Sequence, residues 1–153
     1  MGMSELGHAF QLIDQNAARA DFEGPKSEEL VKSAEVALGL TLPPTYRQFV
    51  RRLGCGDIAG EEFYGIIKDD YENSSVPNGI WVTLNERKTA NLPESIIIVA
   101  DNGVGGWYAI DTSKKNMDGD SPVVDWWPNN QPSQMVAEDF GAFLLQRLRQ
   151  AIG

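Results

Sequence analysis

Apolar residues recur at helical spacing through the first third of the chain. Leu6, Phe10, Ile13 and Ala17 stand four, three and four residues apart, the stripe of an amphipathic helix. Asp21-Phe22-Glu23-Gly24-Pro25 breaks that pattern. Ser27 is a good N-cap, and Glu28 and Glu29 follow where a helix dipole favours acids, so a second helix is predicted here. Its inner face is Leu30, Ala34, Ala37 and Leu38, and Gly39 ends it. Leu40 and Leu42 lead into Pro43-Pro44, where Pro44 suits the first position of a third helix. Tyr46, Phe49, Val50 and Leu53 form that helix's stripe, closed by Gly54.

The pattern then changes. Residues 63–67 are aromatic and β-branched, which predicts a strand. Pro77-Asn78-Gly79 is a turn. Residues 80–88 carry both signals, with Trp81, Leu84 and Lys88 at helical spacing favouring a helix. Residues 96–100 are an unbroken apolar run, predicted to be a central strand covered on both faces. The glycine-rich stretch 101–106 reads as a hairpin connection into a strand over 107–111, and a polar loop over 112–120 precedes another strand over 123–127. Phe140, Phe143, Leu144, Leu148 and Ile152 predict a closing helix. The expected class is α+β, one domain over residues 1–153, with a mainly antiparallel sheet flanked by N-terminal helices and one C-terminal helix.

Charge narrows the function. The chain holds 13 basic and 22 acidic residues, for a net charge of −9, which disfavours direct binding to nucleic acid and favours a basic partner. The clusters Arg47/Arg51/Arg52 and Arg147/Arg149 read as solvated helix faces. A lone cysteine, Cys55, excludes an internal disulfide, and no basic-then-apolar leader or membrane-length apolar run is present, so the cytoplasm is the expected address and no membrane the expectation. His8 is the only histidine, so there is neither a conventional triad nor a Cys/His zinc cluster; no cofactor, no metal and no catalytic residues are expected. Gly103-Val104-Gly105-Gly106 leads into a strand and not into a helix that would hold phosphate, so a tight turn is the better reading.

Two stretches stand out as binding candidates. Residues 54–72 contain Asp57, Glu61, Glu62, Asp69, Asp70 and Glu72 against one base, Lys68, with Tyr64 and Tyr71 as aromatic anchors. Trp107, Trp126 and Trp127 form the second, and strand alternation sends Trp126 and Trp127 to opposite faces. A solvated loop rim is an equally good account of the acidic residues.

The run Ala34-Glu35-Val36-Ala37-Leu38-Gly39-Leu40-Thr41-Leu42-Pro43-Pro44-Thr45-Tyr46-Arg47-Gln48-Phe49 resembles the E-x-x-L-G-x-x-L-P-x-x-Y-x-x-F signature of the SUKH superfamily. Phe63-Tyr64-Gly65-Ile66, Leu92-Pro93, Ile96 to Gly103, Tyr108 to Asp111, Pro122 to Trp126 and Phe140 to Leu144 resemble its later pieces, in order, over residues 27–148. The superfamily includes the yeast cell-wall assembly regulator of Smi/Knr type, and its bacterial members are mostly immunity proteins that neutralise a toxin by binding it. The resemblance implies a cognate toxin as partner and supplies no catalytic residues; the acidic charge makes a basic, nuclease-type toxin the expected one, and a monomer or weak dimer is expected. Asp57, Glu61, Glu62, Tyr64, Asp69, Asp70, Tyr71, Glu72, Trp107 and Trp126 are the expected contact residues. A regulatory scaffold remains the alternative, and a small-molecule or hydrolytic domain near Trp107 and Trp126 a further one.

Overall fold

The computed structural model describes residues 2–128 and 133–153. The elements run α1 (Gly2–Gln15), β1 (Ala20–Phe22), α2 (Glu28–Leu38), α3 (Pro44–Leu53), β2 (Gly56–Ile58), β3 (Glu61–Phe63), α4 (Gly79–Thr89), β4 (Ile96–Asp101), β5 (Trp107–Asp111), β6 (Val123–Trp126), β7 (Met135–Ala137) and α5 (Phe140–Ile152). The α+β class and the closing helix stand as expected, but the strands divide into two antiparallel sheets, ordered β1-β2-β3 and β4-β5-β6-β7. The ambiguous stretch after residue 79 is helical. Asn78 caps it, its side-chain oxygen accepting from the Ile80 and Trp81 N–H groups at 3.1 and 3.2 Å.

Helices α1, α3 and α5 bury one core with the inner faces of both sheets. Its centre is aromatic: Phe49 packs against Phe22, Tyr46, Phe63 and Phe140, with ring centroids 5.0–6.3 Å apart. The Tyr46 hydroxyl donates to the Tyr64 carbonyl at 2.9 Å, tying α3 to the chain just after β3. A second, smaller cluster lies on the other side of the larger sheet, where Ile96, Ile98, Ala109 and Trp126 pack with Val82, Trp81 and Trp107. Strand β4 thus feeds both cores: Ile97 and Val99 join the first, Ile96 and Ile98 the second. Its expected burial on both faces holds, but its central place does not: β4 is the first strand of its sheet. The open side is filled by the Tyr64 N–H, which donates to the Val99 carbonyl at 2.7 Å, and by the Thr83 hydroxyl, which accepts from the Ile98 N–H at 3.0 Å.

Two buried carboxylates serve helix starts. Asp139 caps α5, accepting from the Ala142 N–H at 2.8 Å. Asp120, far along the chain, accepts from the Thr45 N–H of α3 at 3.2 Å, replacing the cap that Pro43 does not provide. Burial pushes the Asp120 carboxyl above the ordinary range, and the negative charge of Asp139 adds to the shift. A carboxyl whose folded pKa is raised contributes stability that is complete below its unfolded value and withdrawn as pH rises through the folded one. Stability from Asp120 is therefore expected to decline as pH climbs above the ordinary carboxyl value of about 4. Asp120→Asn should flatten that slope in urea unfolding at successive pH values; an unchanged slope would remove Asp120 as its source.

Candidate protein-binding surface

The register of the small sheet decides which acidic side chains stand together. Asp21 pairs with Asp57, and Asp57 pairs with Glu62, so one row across three strands is entirely acidic. The neighbouring row, Phe22–Gly56–Phe63, has both its phenylalanines in the main core, which leaves the acidic row facing outward. Asp21 and Glu62 are exposed and Asp57 is half-buried. Incomplete hydration against the neighbouring strands raises the Glu62 carboxyl above its usual range, and the charges of Asp57 and Asp101 push it further. Asp101 ends β4 and adds a fourth carboxylate beside the row. Like charges directly opposed on neighbouring strands destabilise a sheet by roughly 0.2–1 kcal/mol. Among the described residues no ion pair neutralises Asp21, Asp57, Glu62 or Asp101, and no group of three or more His, Cys, Asp and Glu side chains is arranged to hold a metal ion.

The structure divides the acidic stretch over 54–72. Glu61 points away from Glu62 and pairs with Arg147 at 2.7 Å, which also lies over the Tyr108 ring. Tyr64 is buried, its ring edge-on to Trp107 at 6.3 Å, and its hydroxyl is pushed up to about 12 by burial and by the charges of Glu62 and Asp101. Asp70 holds the next loop together by accepting from the Glu72 and Asn73 N–H groups at 3.2 and 3.0 Å, and those bonds keep its carboxyl below the usual range. Asp69 and Glu72 are exposed there, while Tyr71 is half-buried with its hydroxyl 3.2 Å from that of Ser33. Between this loop and α4 lies a cleft of about 440 Å³ walled by Tyr71, Glu72, Trp81 and Lys88. Trp126 is buried in the second cluster, and the Trp107 indole N–H donates to Glu86 at 3.0 Å, so the tryptophans mainly pack the sheet.

Asp57 and Glu62 are thus the expected contact residues that share one outward face, and Asp21 and Asp101 join them without having been singled out. The signal for Asp21 was masked because Asp21-Phe22-Glu23-Gly24-Pro25 looks like a helix breaker, yet its first residues form β1. The arginine cluster of α3 proves to be engaged within the chain: Arg47 grips Glu28 with two bonds of 2.7 and 2.8 Å, Arg51 joins the same carboxylate, and Arg52 pairs with Asp14. Cys55 is fully buried and its thiol is pushed up to about 12, chiefly by burial, so it is protonated at neutral pH. His8 is exposed on α1. The glycine-rich turn closes on itself, with the Asn102 side chain accepting from the Val104 and Gly106 N–H groups at 2.9 and 3.0 Å. No helix among the described residues is long and apolar enough to cross a membrane.

A family model, SUKH_6, described as SMI1-KNR4 cell-wall, matches residues 28–144. The chain belongs to the SUKH (SMI1-KNR4) family.

Proposed function

We propose that this chain is an immunity protein that binds and neutralises a basic toxin, without catalysis, in the cytoplasm of the producing cell. One observation carries the reading: three carboxylates are aligned across β1, β2 and β3, with a fourth beside them, and none of the four forms an ion pair among the described residues. An arrangement that costs folding energy and is relieved by a basic partner is expected of a binding surface. A nuclease is the fitting toxin class, because its basic substrate-binding face is complementary to such a row. Family membership supports a role in protein binding, and the cell-wall wording of the family description favours a second reading, a regulatory scaffold with a housekeeping partner.

The test is co-purification with the protein encoded beside it, at low and at high salt. A stoichiometric complex that forms faster at low salt supports the immunity reading. Recovery of housekeeping proteins alone, with no neighbour bound, would transfer support to the scaffold.

A further inference from the structure

Beyond the last residue of β5, at the opposite end of that strand from Asp101, the loop into β6 carries a different kind of surface. Met117 is fully exposed, and Lys114 and Lys115 make no ion pair among the described residues. With Asp118, Met135 and Glu138 they line an open groove of about 470 Å³. Met135, which is 65% exposed, opens β7, and β7 is the last strand of its sheet, with no strand paired on its outer side among the described residues. The patch therefore combines an apolar centre, an open sheet edge and a rim of two cations and two anions.

We propose that a second copy of this chain docks here about a two-fold axis. Met117 and Met135 of both copies form the centre, and Lys114 and Lys115 of each face Asp118 and Glu138 of the other. A two-fold interface must be complementary to itself, and a rim that balances its own charges meets that condition. A partner of one sign would meet like charge on half of it. Methionine adapts its shape to a second copy of the same surface, and the outer edge of β7, with no strand paired to it among the described residues, lies at the same patch. The balanced rim also lets two copies approach locally despite a net charge of −9 on each.

Sedimentation equilibrium over about 1 µM to 1 mM reads the association directly, and a reversible dimer within that range is the expected result. Met117→Lys/Met135→Lys should weaken it about tenfold or more. Two further variants separate charge pairing from loss of fold: Lys114→Glu/Lys115→Glu and Asp118→Lys/Glu138→Lys should each be monomeric alone and form a heterodimer when mixed in equal amounts. A wild-type chain that stays monomeric throughout overturns the proposal. So does a dimer indifferent to the methionine variants, or a charge-swapped mixture that remains monomeric.

Discussion

Phe49→Ala is expected to lower the free energy of unfolding by about 3–5 kcal/mol, a large share of the roughly 5–15 kcal/mol that holds a domain together. The ring is fully buried and touches aromatic rings from four separate elements: Phe22 of β1, Tyr46 of α3, Phe63 of β3 and Phe140 of α5. The neighbouring rings sit on separate packed elements, so the vacated space is expected to close only in part, and the cavity cost adds to the lost transfer energy. Val36→Ala is the control, since Val36 is 82% exposed on α2 and should change stability by less than about 0.5 kcal/mol. Urea unfolding with equal slopes for the variants and the wild type gives the comparison. A loss below about 1 kcal/mol for Phe49→Ala would mean that the cluster collapses inward and that Phe49 does not join the small sheet to the helices.

That junction was only half legible. Helices α2 and α3 announce themselves through local chemistry: the Ser27 side chain accepts from the Leu30 N–H, Gly39 ends α2 in the left-handed conformation, and Pro44 opens α3. Such signals act over a few residues, and a sequence displays them. The small sheet shows little of this, and the strand expected over residues 63–67 meets β3 (Glu61–Phe63) only at Phe63. Its strands are three residues each, too short for a period-two pattern, and β1 pairs with β2 across the whole of α2 and α3, a non-local contact no local signal announces. Strand β7 escapes for the same reason of length. Residues 96–100 show the reverse case: continuous apolarity correctly signals burial on both faces, yet strand order is set by Tyr64 and Thr83, which no periodicity reveals.

The surface follows the same division. An excess of acid over residues 54–72 was visible by counting, but counting cannot say which carboxylates share a face. Alternation along β3 sends Glu61 and Glu62 to opposite sides, but the strand expected over residues 63–67 left both of them outside it. That Arg147, 86 residues away, would meet Glu61 was not derivable. Asp70, counted as a contact residue, spends its carboxylate on its own loop, and Tyr64, counted as an anchor, is inside the protein. Reversing the charges of Glu61 and Asp70 would therefore disturb structure as well as recognition.

The cleaner experiment uses the row itself and predicts opposite signs for folding and binding. Asp57→Lys places a cation between Asp21 and Glu62, converting two like-charge contacts into two attractive ones, and should raise stability by roughly 0.2–1 kcal/mol. The same change removes the negative centre of the surface and should slow association with the basic partner. The triple variant Asp21→Lys/Asp57→Lys/Glu62→Lys inverts the row and should reduce the association rate about tenfold or more at low salt. The difference should shrink as ionic strength approaches physiological values, where screening acts over about 8 Å. Stopped-flow association with the neighbouring gene product reads the rate, and urea unfolding reads the stability. If Asp57→Lys stabilises the fold while the triple variant associates at the wild-type rate, the row is a tolerated electrostatic fault and the partner binds elsewhere. If both effects appear, the carboxylates are held against their mutual repulsion for the sake of the partner that relieves it.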